Sequence, residues 1–231
     1  MMKNIFIACD TSSNQVVKKI IKNSKIKSKN YKIGYKFGLE FFYSKTGRKF
    51  IEKLKVKNIW LDVKIFDIPN TSSAVIKSLK DLKNISYITV HVSGGLQMLR
   101  AIKRATKKYN KKLKILGVTV LTSFSNSSVK KVGHTKSIKD LVRKQVLLAR
   151  AAKLDGIVCS AQEIKFIKKV CKKMEIITPG IRFKGENSND QKRVMSPEEA
   201  FKTGATSIVM GRSLVNGNIK NNIKKLIESL N

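Results

Sequence analysis

The chain has 231 residues, of which 42% are hydrophobic, a size and composition that suit one globular domain over residues 1–231 and exclude global disorder. No apolar run approaches the roughly 20 residues of a membrane helix, and Ile5–Cys9 is too short for a signal-peptide core, so we expect a cytoplasmic protein with no membrane partner. The net charge of +34 comes mainly from scattered lysines without a basic tail or a zinc-finger or RNP motif, which favours compositional bias over specific nucleic-acid binding.

Eight short β-branched runs alternate along the chain with polar, helix-compatible segments. The predicted strands are Asn4–Ala8, Tyr31–Gly34, Asn58–Lys64, Ser86–His91, Lys114–Leu121, Gly156–Cys159, Glu175–Thr178 and Thr206–Met210. The predicted helices are Gln15–Lys22, Gly47–Leu54, Thr71–Leu79, Leu96–Tyr109, Ile138–Lys153, Gln162–Cys171, Pro197–Thr203 and Ile219–Leu230. This alternation predicts an α/β fold, a single (β/α)8 TIM barrel. A doubly wound open sheet is the alternative, although no G-x-G-x-x-G motif follows the first strand.

Polar residues gather where the predicted strands end, which is the face at which barrel enzymes hold their active sites. The third strand is the most informative, because alternation along it puts Trp60, Asp62 and Lys64 on one face, which we expect to point into the barrel. Asp62 and Lys64 could form an internal ion pair without a catalytic role. A further Lys32 on the second strand and Asp67 beyond the third instead favour a catalytic array of charges.

A phosphate site is predicted at the last two strands. Gly211 permits close approach of the backbone to a ligand, and Arg212 offers a forked donor, at the position where barrels often bind phosphate. The polar segment between Pro179 and Ser196 is long for a βα loop and contains Arg182 and Gln191, which suits a lid over a phosphate. A simple turn and an idle surface loop are the respective alternatives.

A metal site is not expected. The three cysteines match no zinc spacing, and the chain has only two histidines. Cys9 and Cys159 lie in apolar runs and are interpreted as buried free thiols.

Residues 62–71, Asp-Val-Lys-Ile-Phe-Asp-Ile-Pro-Asn-Thr, resemble the D-x-K-x-x-D-I-P-N-T signature of the orotidine 5'-phosphate decarboxylase family. The D-x-K-x-x-D part alone is shared with related sugar-phosphate decarboxylases and aldolases. Phe66 departs from the His of many bacterial members. Further blocks similar to the family's follow in the same order over nearly the whole chain: Lys32-Ile-Gly, His91-Val-Ser-Gly-Gly, Val118–Ser123, Val158–Glu163, Thr178–Arg182, Asp190–Arg193 and Val209–Ser213.

The resemblance implies that the chain converts orotidine 5'-phosphate to uridine 5'-phosphate and carbon dioxide, the last step of de novo pyrimidine synthesis, without metal or cofactor. Lys64 would stabilise and protonate the carbanion at C6, Asp62 would lie near the departing carboxylate, and Lys32 would contact the ribose and orient Asp62. Asp67 and Thr71 would reach the active site of the partner in a homodimer.

The remaining substrate contacts are also implied by the resemblance. Asp10 would bind ribose hydroxyls, and Thr122 and Ser123 would recognise the pyrimidine. The phosphate would be held by Pro179, Arg182, Gln191, Gly211 and Arg212. Two alternatives remain open: a magnesium-dependent 3-keto sugar-phosphate decarboxylase or aldolase on the same barrel, and a basic nucleic-acid-binding protein.

Overall fold

The strands close into one parallel barrel in chain order, each paired with the next and the last with the first. The computed structural model describes residues 2–26, 28–171, 173–186 and 194–230. The strands are β1 (Lys3–Ala8), β2 (Tyr31–Gly38), β3 (Ile59–Ile65), β4 (Ile85–His91), β5 (Lys114–Val118), β6 (Gly156–Val158), β7 (Glu175–Thr178) and β8 (Ser207–Met210). The predicted TIM barrel is confirmed, and the open sheet is wrong.

Helices follow the strands and surround the barrel. They are α1 (Asn14–Asn23), α2 (Leu39–Phe42), α3 (Gly47–Lys53), α4 (Pro69–Ser78), α5 (Gly95–Tyr109), α6 (Asn126–Lys131), α7 (Ile138–Ala151), α8 (Ile164–Val170), α9 (Pro197–Thr203), α10 (Arg212–Val215) and α11 (Ile219–Leu230), with 3₁₀ turns at Val92–Gly94 and Ala161–Glu163. All eight predicted helices are present, whereas the short α2, α6 and α10 were not predicted. None of the helices in the described ranges combines the length and apolar character needed to cross a membrane.

Two apolar layers follow from the alternation of side chains along the strands. The larger layer lies between the strands and the helices. The smaller one fills the barrel interior with Phe6, Ala8, Trp60, Tyr87, Leu116, Ile177 and Val209. Phe6 makes edge-to-face contacts with Trp60 at 5.1 Å and with Tyr87 at 5.4 Å between ring centroids. Because these side chains fill the middle of the barrel, a ligand can enter the barrel itself only from its two ends.

Candidate active site

A cavity of about 520 Å³ opens at the carboxyl ends of the strands. Its charged lining residues are Asp10, Lys36, Asp62, Lys64, Arg182 and Arg212. Apolar side chains such as Trp60, Val118 and Val209 complete much of the wall. The size suits a small organic ligand. The cavity brings two arginines from the loops after β7 and β8 together with the lysines and aspartates at the ends of β1, β2 and β3.

Asp62 is the centre of the charged cluster. Its Oδ2 atom lies 3.0 Å from Lys64 Nζ and 3.4 Å from Lys36 Nζ, and Thr89 Oγ1 donates a hydrogen bond to its Oδ1 atom at 2.9 Å. Lys36 Nζ also donates to Asp10 Oδ1 at 3.0 Å. Two ammonium groups and two carboxylates therefore form one continuous chain, Asp10–Lys36–Asp62–Lys64.

The cluster favours the charged states of Asp62 and Lys36. Burial raises the pKa of the Asp62 carboxyl, but the nearby Lys36 and Lys64 charges outweigh it, so the pKa lies below its ordinary value. Burial lowers the pKa of the Lys36 ammonium, but Asp62 and Asp10 outweigh it, and the pKa lies above its ordinary value. Asp62 is thus an anion and Lys36 a cation at neutral pH, with little solvent around either.

Lys64 owes its position to an irregularity in β3. Leu61 pairs with Ile88 and Ile65 with Val90, so three residues, 62–64, lie opposite the single residue Thr89. The Lys64 backbone adopts a φ of 48°, a left-handed conformation that costs a residue with a side chain about 1–3 kcal/mol. Thr89 Oγ1 accepts a hydrogen bond from the Lys64 backbone N–H at 3.0 Å, which supports this conformation. Backbone strain is therefore placed at the ammonium that contacts Asp62.

Lys32 is not in this cluster, and the prediction for it is wrong. β2 continues to Gly38, four residues beyond its predicted end, so Lys32 lies at the amino end of the strand, opposite Asn4. Lys36 shares its face of β2 and lies opposite Ala8 and Trp60, at the carboxyl end. Four residues of strand separate the two lysines by about 13 Å. Lys36-Phe-Gly has the same Lys-x-Gly form as Lys32-Ile-Gly and lies at the carboxyl end of β2.

The sequence contained a signal for Lys36. Ile33, Tyr35 and Phe37 continue the outward apolar alternation past Gly34, and all three pack in the layer between strands and helices. An unbroken alternation through Phe37 predicts a longer strand and places Lys36 at its end.

Most of the predicted substrate contacts lie around the cavity. Asp10, Thr122, Pro179, Arg182, Gly211 and Arg212 all line it. Arg182 is buried, and its guanidinium donates to the Ile181 carbonyl at 3.0 Å. β5 ends at Val118, three residues before its predicted end, and Ser123 is exposed in the following turn without lining the cavity. Gln191 lies outside the described residues.

Asp67 and Thr71 are exposed and do not belong to the described lining of the cavity. The Asp67 carboxylate accepts a hydrogen bond from the Ile68 backbone N–H at 2.7 Å, immediately before α4. The large apolar side chains on either side, Phe66 and Ile68, are 63% and 66% exposed. Within one chain, these residues present a polar and apolar surface to the outside.

The three cysteines are buried, as predicted for Cys9 and Cys159. Burial raises the pKa of the Cys9 thiol to about 12, so this thiol is not a nucleophile at neutral pH. Within the described ranges, no three His, Cys, Asp or Glu side chains are grouped as metal ligands.

Comparison with known proteins identifies the family. The model of the "Orotidine 5'-phosphate decarboxylase / HUMPS family" matches residues 3–224. The chain belongs to this family. An orotidine 5'-phosphate decarboxylase of Carboxydothermus hydrogenoformans is 37% identical over 222 residues, which cover 93% of this chain and 90% of that protein. This relative and others of the same name put the chain among the carboxy-lyases.

Solved structures of family members have the same fold. The crystal structure of orotidine 5'-phosphate decarboxylase from Lactobacillus acidophilus superposes with a TM-score of 0.84 at 27% identity and covers 99% of both chains. The enzyme from Methanocaldococcus jannaschii, complexed with inhibitor BMP, gives a TM-score of 0.77 at 26% identity over the full length of both chains.

Proposed function

We propose that this chain decarboxylates orotidine 5'-phosphate to uridine 5'-phosphate, the last step of pyrimidine nucleotide synthesis, in the cytoplasm and without metal or cofactor. The observation that carries the proposal is the Asp10–Lys36–Asp62–Lys64 cluster, which lies in the same cavity as Arg182 and Arg212. A charged reaction centre and a phosphate-binding end are the two features that such a substrate requires.

The reaction would use the charges of the cluster. The bond between C6 and the carboxylate breaks, carbon dioxide leaves, and the electron pair stays on C6. The Lys64 ammonium would stabilise this carbanion and donate a proton to it, after which solvent would reprotonate the amine. Asp62 would face the departing carboxylate, and Lys36 would hold Asp62 in place and contact the ribose together with Asp10.

The arrangement around Lys36 favours a reaction without magnesium over the sugar-phosphate alternative. Its ammonium already lies between the carboxylates of Asp10 and Asp62, at 3.0 and 3.4 Å. A divalent cation would have to displace a buried, paired lysine to reach the same oxygens.

The phosphate would bind at the loops after β7 and β8, through Arg182, Gly211 and Arg212 with Pro179 beside them. Thr122 would contact the pyrimidine. Phosphate binding far from C6 could then contribute to transition-state stabilisation by closing the site over the substrate.

A homodimer is part of the proposal. Asp67 and Thr71 are exposed, and Phe66 and Ile68 beside Asp67 expose most of their apolar surface. A second copy of the chain would cover these apolar groups and place Asp67 and Thr71 next to its own cluster.

The decisive experiment mixes purified protein with orotidine 5'-phosphate and an excess of chelator and follows the pyrimidine absorbance and the release of carbon dioxide. Conversion at an unchanged rate with and without chelator supports the proposal. Conversion that stops with the chelator and returns with magnesium would refute the metal-free mechanism. No conversion under either condition would refute orotidine 5'-phosphate as the substrate.

A further inference from the structure

A second cavity, of about 1270 Å³, lies at the opposite end of the barrel. Its lining comes from the amino ends of the strands and the loops before them, for example Asn4 of β1, Lys32 of β2 and Lys114 of β5. The apolar side chains that fill the barrel interior, among them Phe6, Trp60 and Tyr87, separate it from the active-site cavity. Nothing in the proposed decarboxylation uses this end of the molecule.

Lysines dominate the charge of this amino-end cavity. Its lining contains six lysines and one glutamate, Glu175, a formal surplus of five positive charges. The lysines are Lys25, Lys29, Lys32, Lys57, Lys112 and Lys114. They come from the loop before β2, β2 itself, the loop before β3, the turn before β5 and the start of β5, so the fold brings together cations that are far apart in the sequence.

Few of these charges are neutralised. Lys114 forms an ion pair with Glu175. No ion pair joins the other five lysines to any residue that the structure describes. Like charges on one concave surface repel each other, and the low-dielectric walls of a cavity concentrate their field. Binding of an anion to this surface would therefore relieve the repulsion between the lysines.

Neutral hydrogen-bonding groups lie among the lysines. Asn58 Nδ2 donates to Asn4 Oδ1 at 3.2 Å, and Asn4 Nδ2 donates to Ser207 Oγ at 3.2 Å. This network orders the polar side chains at the amino ends of β1, β3 and β8. Lys32 lies beside it, since Lys32 is opposite Asn4 in the sheet and points to the inner side of β2.

We propose that the amino-end cavity binds a small polyphosphate anion, of the kind carried by a nucleoside triphosphate. Lysine ammonium groups are compact point charges that bind phosphate oxygens. A single phosphate carries a charge of only about −1.5 to −2 at neutral pH, so a chain of two or three phosphates matches the surplus better. The volume of the cavity leaves room for such a chain together with a nucleoside.

The test uses isothermal titration of the full chain with inorganic triphosphate at roughly physiological salt, where weak surface attraction is screened. The cavity variant is Lys25→Gln with Lys29→Gln and Lys32→Gln. The matched control is Lys18→Gln with Lys19→Gln and Lys22→Gln, which removes the same charge from the exposed face of α1. The cavity variant should raise Kd at least about tenfold and the control less than about twofold, because only the former removes ammonium groups from the concave surface.

Equal losses in the two variants, or no binding by the wild type, would overturn the proposal in favour of a general positive field. A single Lys32→Gln variant, which should still weaken binding by about threefold, covers the case in which the triple variant does not fold. Titration with a thymidine oligonucleotide tests whether the cavity instead binds the phosphates of a nucleic acid. If it binds through the cavity lysines far more tightly than triphosphate does, the ligand is a nucleic acid and the proposal is wrong.

Discussion

Lys64 combines a strained backbone with a charged contact to a buried carboxylate. Its φ of 48° and its position at the end of a three-residue irregularity are supported by Thr89, which also donates to Asp62. Such strain persists only where the surrounding structure enforces it, and it is concentrated at functional sites. The backbone conformation therefore agrees with a reactive role for the Lys64 ammonium.

Replacement of Lys64 by alanine tests this role. Lys64→Ala should reduce kcat on orotidine 5'-phosphate by more than about 10²-fold, because a positioned acid typically contributes about 10²–10⁴ and this one also stabilises the carbanion charge. Steady-state kinetics measure the loss, with circular dichroism and sedimentation as controls for folding and assembly. Retention of more than about a hundredth of the activity would exclude Lys64 as the proton donor.

Lys36 and Lys32 provide a matched pair on the same face of one strand. Lys36→Ala removes one of the two cations that compensate buried Asp62, and we expect kcat/KM to fall at least about 10²-fold, since breaking a buried pair costs about 3–5 kcal/mol. Lys32→Ala, at the other end of the barrel, should stay within about twofold of wild type when no polyphosphate is present. Equal effects of the two substitutions would contradict the assignment of Lys36.

The ion pair between Lys36 and Asp62 also predicts how the stability of the fold depends on pH. The pKa of Lys36 lies above its usual 10.5, so its contribution to stability is complete below pH 10.5 and is lost as the pH rises through the folded-state value. The pKa of Asp62 lies below its usual 3.8, so its contribution is present above pH 3.8 and is lost as the pH falls through the folded-state value.

Denaturant unfolding at increasing pH tests the alkaline side. The wild type should lose unfolding free energy above pH 10.5 more steeply than Lys36→Met, which lacks the shifted group. Lys32→Met is the control for the loss of a lysine as such and should keep the wild-type slope. If the unfolding free energy of Lys36→Met falls with pH as steeply as that of the wild type, the ion pair does not contribute to stability.

At the level of single residues, the sequence was informative where alternation along a strand decides the direction of a side chain. Asp62 points into the barrel for that reason, together with Trp60. Lys64 also lines the cavity, but its position follows from the irregularity of β3 and not from regular alternation. Alternation gives the face of the sheet but not the height along the strand, and for this reason the pattern alone does not distinguish Lys32 from Lys36, which share one face of β2. The left-handed backbone at Lys64 leaves no mark in the sequence, because it depends on pairing with Thr89 from another strand.

The loops after β7 and β8 make one end of the active-site cavity different from the rest. They bring Arg182 and Arg212 to the same cavity as the Lys–Asp cluster, with Gly180 and Gly211 beside them. Gly180 has a φ of 75°, which a glycine adopts without strain. Backbone of this kind can approach a phosphate closely while the arginines supply charge-assisted hydrogen bonds.

Arg212→Ala tests the phosphate end. The loss in kcat/KM on orotidine 5'-phosphate should be about 10–150-fold, the range for a hydrogen bond to a charged group worth about 1.5–3 kcal/mol. The loss on the phosphate-free nucleoside should be much smaller. Arg212→Lys keeps the positive charge but lacks the forked guanidinium, and its kcat/KM should lie between those of Arg212→Ala and the wild type. Equal losses of kcat/KM on the two substrates would show that Arg212 does not bind the phosphate.

At the level of elements, the strands and longer helices were predictable and the short ones were not. Helices such as α5 and α11 present an apolar face over three or more turns, whereas α2 and α10 have four residues each and too few positions to show a period. β2 and β5 differ most from prediction, at their carboxyl ends. Those ends depend on pairing with neighbouring strands, which local sequence does not reveal.

For the whole molecule, the barrel explains why the two cavities differ. The carboxyl end carries paired charges and two arginines, and the amino end carries lysines of which most have no ion-pair partner within the described residues. The net charge of +34 contained no information on this arrangement, because scattered lysines converge only after the barrel closes. The proposed dimer is likewise not predicted by the pattern of apolar residues in the sequence, and the proposal for its interface rests on the exposed Phe66 and Ile68 beside Asp67.

The proposed dimer can be tested by combining two inactive variants, Lys64→Ala and Asp67→Ala, unfolded, mixed and refolded together. If Asp67 serves the partner's active site, a mixed dimer has one site with both residues intact and one with neither. Half of randomly paired dimers are mixed, so activity should return to about a quarter of the wild-type value under two-fold symmetry.

Asp67 acting within its own chain predicts the opposite result. Every site would then carry one of the two substitutions, and the mixture would be no more active than its parents. Differently tagged chains allow mixed dimers to be isolated, so that a failure to pair is separated from a failure to rescue. Isolated mixed dimers without activity would rule out a shared site, whereas about half of wild-type activity in them would establish it, since each contains one complete site of two.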